Sequence, residues 1–312
     1  MPTLKRGGRL GLVLHPTRDP TPVVEKLTTW ARSHGKHVIV DARDAARVPA
    51  DVEPVSEAQL VDQADALISL GGDGTLLGAL RLVAQRPVPI LAVNLGSLGF
   101  LVEIQPAELD AALDRLETGD YTIEEHSAAV LTDGSDESIA FNDIALGSVP
   151  GEGAVQASLT VRGRASGRYR CDALVVATPN GSTAYSYAAG GPLVSPMLDA
   201  MIVSPVAPIS GISRPAVISA AEPIELALVE GSGQPALQVD GTIVRRMQPG
   251  ESLEVRLRPR AGCVVRIDPE RYQRRSEVKL SLLDLPFLPE EMRNVLPAGD
   301  PVVLTPHAGP SG

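Results

Sequence analysis

The first part of the chain alternates short apolar runs with stretches whose apolar positions recur at helical spacing. Short buried strands are predicted over residues 9–14, 37–40, 66–70 and 89–93. Helices are predicted over residues 21–33, 56–64, 75–84 and 106–116. This β-α-β-α order is typical of a parallel sheet with helices on both faces, so it predicts an α/β amino-terminal domain.

The pattern changes between residues 127 and 268. Most apolar runs there are four to eight residues long, rich in Val, Ile and Leu, and separated by Gly, Pro, Asp and Ser. Such spacing predicts an all-β domain, interrupted by one helical stretch at 182–189. The predicted domains are an α/β nucleotide-binding domain at 1–120, a β-rich domain at 121–285 and a Pro-rich tail at 286–312, expected to be an arm or disordered.

Composition narrows the function class. The 312 residues suffice for two domains, and 44% hydrophobic with 21% charged residues is ordinary for a globular protein. A net charge of -10 with scattered basic residues makes nucleic acid and anionic membranes poor partners. No apolar run of eighteen residues or signal-peptide pattern occurs, and Cys171 and Cys263 lack zinc spacing. A cytoplasmic protein with structural thiols is expected.

A glycine-rich turn interrupts the sequence LISLGGDGTLL at residues 67–77. A predicted strand ends in Gly71-Gly72 and a predicted helix begins at Thr75, which places the turn at the carboxyl edge of the sheet, where open α/β proteins bind ligands. Glycines let main-chain N–H groups approach phosphate oxygens, and a helix amino terminus favours anions. The turn therefore suits a polyphosphate, although no Lys-Ser or Lys-Thr follows as in a Walker loop.

The carboxylate of Asp73 is the unexpected group in this turn. It would repel phosphate unless a divalent cation bridges the two, or unless it acts on a hydroxyl group as a general base. Both uses are typical of phosphoryl transfer. The alternative is an ordinary tight turn, because Asp-Gly is a common turn pair.

Four other stretches carry candidate chemistry. Residues 94–101 (NLGSLGFL) form a second glycine loop after a predicted strand. Asn142-Asp143 interrupts an apolar strand, and these groups could bind ribose hydroxyls or be a satisfied structural pair. Residues 178–186 (TPNGSTAYS) combine a tight turn with hydroxyl groups at a predicted helix start, where a ligand could bind. The alternative interpretation is a plain N-capped helix. The default interpretation of the Asp-Gly pair at Asp240 is a hairpin turn.

Together these stretches resemble the NAD kinase family, within a superfamily that shares the GGDGT loop with diacylglycerol and sphingosine kinases and phosphofructokinases. The specific segments are LGFL at 98–101, TPNGSTAYS at 178–186 and GGP at 190–192. The resemblance extends over about residues 10–268. It implies an amino-terminal α/β domain and a carboxyl-terminal β domain with the site in the cleft between them, in homodimers or homotetramers.

The resemblance also implies roles for particular residues. Asp73 would be the base or metal-orienting carboxylate that activates the 2′-hydroxyl of the adenosine ribose of NAD. Phosphate or donor contacts are implied for Gly71, Gly72, Gly74 and Thr75. NAD contacts are implied for Asn142, Asp143, Asp172, Thr183, Ala184, Tyr185, Ala188 and Asp240. ATP or polyphosphate as donor and Mg²⁺ as the divalent metal are implied, with no metal ligands assigned.

Three positions depart from the family pattern. Asp143 stands where the family usually has glutamate, Ala173 replaces a glycine, and Ile209 occupies a histidine position. An aliphatic side chain cannot make the hydrogen bonds that an imidazole makes. Because these changes lie on the acceptor side, two alternatives stay open: a kinase of the same fold acting on another nucleoside or nucleotide, and a non-catalytic NAD(P)-binding sensor.

Overall fold

The computed structural model describes residues 7–96, 101–133 and 136–270. The described residues up to Ile267 form one compact unit. The predicted Pro-rich tail at 286–312 lies outside the described residues, as do residues 98–100 of the LGFL segment. Within the described part of the chain, no helix has both the length and the apolar character that a membrane crossing needs.

The amino-terminal half is the predicted α/β structure. Its elements are β1 (Arg9–Leu14), α1 (Thr21–Ser33), β2 (His37–Asp41), β3 (Glu53–Val55), α2 (Glu57–Gln63), β4 (Ala66–Gly71), α3 (Asp73–Leu82), β5 (Pro89–Asn94) and α4 (Leu109–Thr118). The strands pair in parallel in the order β3-β2-β1-β4-β5. The prediction of a parallel sheet is confirmed.

Alternation along β1 explains why helices cover both faces of this sheet. Leu10 and Leu12 share a buried cluster with residues of α1 and α4. Gly11 faces the other side, where an added Cβ would lie 2.8 Å from a methyl carbon of Leu60 on α2. Because successive side chains of a strand point to opposite faces, both faces of β1 are buried.

The second half is mostly β-structure. Its elements are β6 (Thr122–Asp133), β7 (Asp136–Ala140), β8 (Asp143–Gly147), β9 (Val155–Val161), β10 (Arg164–Cys171), β11 (Ala173–Ala177), α5 (Tyr185–Ala188), β12 (Ala200–Val206), β13 (Ser210–Gly211), β14 (Ala216–Ser219), β15 (Ile224–Leu228), β16 (Ala236–Val239), β17 (Thr242–Arg246) and β18 (Ser252–Arg266). Six strands form an antiparallel sheet in the order β14-β12-β11-β8-β16-β17. The fold class is the predicted one.

The long strand β18 joins the two halves. It pairs with β15 and β6 and, through Cys263 and Val264, in parallel with β5, so that one 12-stranded sheet includes strands of both halves. One buried cluster likewise combines Leu76 and Leu80 of α3 with Phe141 and Val264. The hydrophobic core therefore crosses the boundary predicted near residue 120.

The sequence did not predict β3, and it placed the ends of α2, α3 and α4 one to three residues from the observed ends. Three differences bear on the site. The apolar run around Asn142 was predicted as one strand, but it breaks after β7, and β8 belongs to the other sheet. Helix α3 begins at Asp73 rather than at Thr75, because Gly72 takes the extended conformation of an N-cap (φ -112°, ψ -162°). The predicted helix at 182–189 is a 3₁₀ turn (Asn180–Thr183) followed by the single turn of α5, since Ala184 departs from helical geometry.

Candidate active site

The GGDG turn connects β4 to α3. An added Cβ on Gly71 would lie 2.1 Å from Oγ1 of Thr75, so packing within the protein already requires glycine at that position. Added Cβ atoms on Gly72 or Gly74 would meet no described atom within 4 Å. The open space over Gly72 and Gly74, at a helix amino terminus, is where an anion can approach the main-chain N–H groups.

Asp73 is held by the segment that follows β5. One of its carboxylate oxygens, Oδ1, accepts hydrogen bonds from the main-chain N–H groups of Leu101 (3.0 Å) and Val102 (3.3 Å). The main chain of this segment therefore orients the carboxylate. This arrangement fixes the direction of the carboxylate.

Asp73 also lines a cavity of about 560 Å³. Gly72, Gly74 and Thr75 line the same cavity, together with His15 and Arg18 from the segment after β1. The carboxyl ends of β1 and β4 meet here, as open parallel sheets require of a ligand site. A phosphate-bearing ligand in this cavity would meet the start of α3 and a carboxylate at once.

Asp240 connects α3 to the predicted acceptor residues. It forms the two-residue hairpin turn between β16 and β17 with Gly241, and both residues have positive φ (46° and 77°), so the predicted turn is present. Its buried carboxylate pairs with Arg81 of α3. The same carboxylate accepts N–H bonds from Phe141 (3.1 Å), Asn142 (2.7 Å) and Asp143 (3.2 Å), which breaks the predicted strand there.

The TPNGST segment packs on the other side of Asn142. Thr178 donates its main-chain N–H to the carbonyl of Asn142 (2.9 Å) and its hydroxyl to the carbonyl of Phe141 (2.7 Å). A Cβ on Gly181 would lie 2.0 Å from the carbonyl oxygen of Asn142, so only glycine permits this approach. Asn142 is thus fixed between the hairpin turn and this segment.

The pKa values of Asp143 and Tyr185 are shifted by neighbouring charges, and the charge of Asp143 acts on Tyr185. Burial and the adjacent charge of Asp240 raise the pKa of Asp143 to about 7. The pKa of Tyr185 is raised by partial burial and by the charges of Asp143 and Asp172. The predicted residues Asn142, Asp143, Asp172, Tyr185 and Asp240 therefore lie in one region.

The remaining predicted residues lie around that region. Thr183 and Ala184 are partly buried and Ala188 is exposed, in the 3₁₀ turn and α5. Ala173 is buried in β11, and Ile209, at the family's histidine position, exposes 56% of its surface. Ile209 offers neither a hydrogen-bond donor nor an acceptor from its side chain.

Sequence reasoning missed four ionisable residues that hold this region together. They are Arg81, Glu124, His126 and Arg266. In sequence they look like ordinary solvated charges. The one available signal was that His126 and Arg266 stand at the ends of apolar strand-like runs, where a buried polar group needs partners.

The described residues contain no cluster of three or more His, Cys, Asp or Glu side chains placed to hold a metal ion. A glycine-rich turn with one oriented carboxylate, at the carboxyl edge of a parallel sheet, is the site of a protein that binds phosphate-bearing ligands in the open α/β manner.

Comparisons with known proteins identify the family within that class. Residues 10–121 match the ATP-NAD kinase N-terminal domain and residues 141–267 match the ATP-NAD kinase C-terminal domain. NAD kinase 1 of Streptomyces avermitilis is 32% identical over 89% of this chain and 88% of its own length. The NAD kinase of Symbiobacterium thermophilum is 33% identical over 82% and 93%. The chain belongs to the NAD kinase family, and it is an enzyme that transfers phosphoryl groups to an alcohol acceptor.

Solved structures agree on the fold. An NAD kinase from Archaeoglobus fulgidus in complex with ATP superimposes with a TM-score of 0.69 at 25% identity, covering 88% of this chain and 98% of that chain. Yeast NADH kinase complexed with NADH gives a TM-score of 0.78 at 22% identity, covering 91% and 90%.

Proposed function

We propose that this enzyme transfers the terminal phosphoryl group of ATP to the 2′-hydroxyl of the adenosine ribose of NAD, giving NADP and ADP. The observation that carries the proposal is the position of Asp73, oriented by two N–H groups at the edge of a cavity of about 560 Å³ beneath the amino terminus of α3. The ATP complex of the relative from Archaeoglobus fulgidus supports ATP as the donor.

In the proposed reaction Asp73 accepts the proton of the ribose hydroxyl as its oxygen attacks the γ-phosphorus. The new O–P bond forms while the bond between γ-phosphorus and the β,γ-bridging oxygen breaks, and the electron pair leaves with ADP. The N–H groups at the start of α3, above Gly72 and Gly74, stabilise the phosphate charge. Positioning of the donor and the acceptor supplies the remaining rate enhancement.

A Mg²⁺ ion is part of the proposal. Mg²⁺ usually keeps several water ligands and binds substrate phosphates, so the carboxylate of Asp73, which lines the cavity, would orient the ion through its bound water. When bound, Mg²⁺ would neutralise charge on the β- and γ-phosphates. Inorganic polyphosphate, which presents the same phosphate oxygens, is the alternative donor.

On the acceptor side, Asn142, Asp143 and Tyr185 are proposed to contact NAD. Asp143 and Ile209 also favour a second candidate, a kinase for another nucleoside or nucleotide. A shorter carboxylate with a pKa raised to about 7 and an exposed aliphatic side chain present a different set of polar groups to the acceptor. The proposal also includes the domain division at about residue 120 and a cytoplasmic location, both expected from the sequence pattern. A homodimer or homotetramer is included because the family resemblance implies it.

The test is a product assay on the purified protein. NAD, NADH, adenosine nucleotides and nucleosides are each supplied with Mg²⁺ and either ATP or polyphosphate, and phosphorylated product is measured. NADP from NAD and ATP is the expected product. Strict preference for another nucleoside would establish the second candidate, whereas tight NAD binding by calorimetry with no product from any combination would indicate a sensor.

A further inference from the structure

A chain of buried polar side chains lies beneath the site. Glu124 and His126 are two residues apart on β6, so both point to the same face, and Arg266 is at the end of the neighbouring β18. Arg266 donates through Nε to the carboxylate of Glu124. His126 places Nε2 3.2 Å from Oε1 of Glu124. His126 and Arg266 are both almost fully buried.

Each end of this chain reaches one of the predicted substrate segments. At one end Arg266 donates through Nη1 to the carbonyl of Leu101 (2.6 Å), the residue whose N–H binds Asp73. At the other end Nδ1 of His126 lies 2.8 Å from Nδ2 of Asn180, in the TPNGST segment that holds Asn142. The polar chain thus connects the donor carboxylate to the acceptor segment.

The charges of this chain are a poor source of stability. Burial alone would raise the pKa of Glu124, but the adjacent imidazole of His126 and the charge of Arg266 lower it to about 2. Glu124 is therefore ionised at every physiological pH. A buried ion pair gains little over well-packed apolar residues, because desolvation offsets most of the attraction. What it does supply is a fixed geometry for the groups at its two ends.

We propose that Arg266, Glu124 and His126 form a positioning relay, which sets Asp73 and Asn180 relative to each other. The relay rests on the proposed function, because its purpose is to bring the phosphate donor and the ribose hydroxyl into line. None of the three side chains needs to touch a substrate. A displacement of either end by about 1 Å would misalign the reacting groups, which is enough to slow a positioned reaction strongly.

Two substitutions of His126 separate the two ends of the relay. The side-chain oxygen of Asn can occupy the place of Nδ1, so His126→Asn keeps the contact to Asn180 and loses the contact to Glu124. The amide nitrogen of Gln can occupy the place of Nε2. His126→Gln therefore keeps the contact with Glu124 and loses the contact with Asn180. Both replacements are neutral and polar.

The relay predicts different kinetic defects for the pair. His126→Asn should lower kcat on the order of tenfold with little change in the KM for NAD, because Arg266 and Leu101 lose their anchor near Asp73. His126→Gln should raise the KM for NAD on the order of tenfold with a smaller effect on kcat. Glu124→Gln should behave like His126→Asn. Glu254→Gln, which removes an exposed ion pair with Arg256 on β18, is the matched control and should change neither constant.

Hydrogen–deuterium exchange provides a readout that does not depend on activity. The amides of Leu101 and Val102 should exchange faster in His126→Asn and Glu124→Gln than in the wild type. Their exchange rates in Glu254→Gln should equal those of the wild type. A wild-type protein that makes no NADP contradicts the proposed function, not the relay. Unchanged exchange at both amides, or equal kcat and KM defects in the two His126 variants, would overturn the relay itself.

Discussion

At the residue scale, three aspartates in this region differ because of their neighbours. Asp73 binds two main-chain N–H groups, and Asp240 binds three main-chain N–H groups and Arg81. Asp143 is buried beside the charge of Asp240, which raises its pKa to about 7. Its charge is therefore expected to change within the range of pH in which enzymes are assayed.

Asp143 should make stability depend on pH. Its folded pKa is higher than that of the unfolded chain, so its contribution to stability is complete below about pH 4 and is lost as the pH rises through about 7. Asp143→Asn cannot ionise. Relative to the wild type, its free energy of unfolding in urea should improve by about 4 kcal/mol between pH 4 and pH 8.

Asp62→Asn, an exposed change on α2, is the control for that series and should follow the wild-type curve. If the wild type and Asp143→Asn gave parallel curves, the buried carboxyl of Asp143 would not be the titrating group.

The sequence predicted Asn142, Asp143 and Asp240 as candidates because polar residues in apolar runs stand out. It could not show Glu124 or Arg266 as buried, because charged residues at strand ends have the same local pattern whether they face solvent or protein. Only the pairing of β6 with β18 brings them together.

At the element scale, periodicity predicted the strands and helices of the first half well, since that pattern is local. It could not predict the break after β7. That break depends on the carboxylate of Asp240, which lies 97 to 99 positions away along the chain from the N–H groups it binds. The same carboxylate ties the end of α3 to the β16–β17 turn through Arg81.

Arg81→Gln should weaken this junction. It removes the only basic side chain that the described residues place on the carboxylate of Asp240, of which 1% is exposed. Because Arg81 itself is partly exposed, the expected loss in the free energy of unfolding is on the order of 1–3 kcal/mol rather than the larger cost of a fully buried pair.

Arg256→Gln breaks an exposed pair with Glu254 and should cost less than about 0.5 kcal/mol in the same urea titration. Equal losses for the two variants would show that the Arg81 pair is an ordinary surface contact.

At the scale of the whole molecule, β18 and the shared cluster around Phe141 make the two halves depend on each other. The sequence predicts two domains, but apolar patterns identify buried positions and do not show which elements share a core. A Cβ on Gly262 would lie 2.8 Å from the ring of Phe141, which shows how closely β18 packs there.

Phe141→Ala should therefore destabilise both halves together. Loss of a fully buried phenyl ring costs about 3–5 kcal/mol. The single tryptophan, Trp30, reports from α1 in the other half. Its fluorescence midpoint in urea should fall along with the β-sheet signal in circular dichroism. A Trp30 midpoint that stayed at the wild-type value would mean that the halves unfold independently.

The role of Asp73 is tested most directly by the initial rate of NADP formation from NAD, ATP and Mg²⁺. The amide oxygen of Asp73→Asn can still accept the N–H bonds of Leu101 and Val102, so the variant should fold. We expect its rate to fall by about 10²- to 10⁴-fold, with Asp62→Asn unchanged. A folded Asp73→Asn variant that made NADP within a few fold of the wild-type rate would contradict the account.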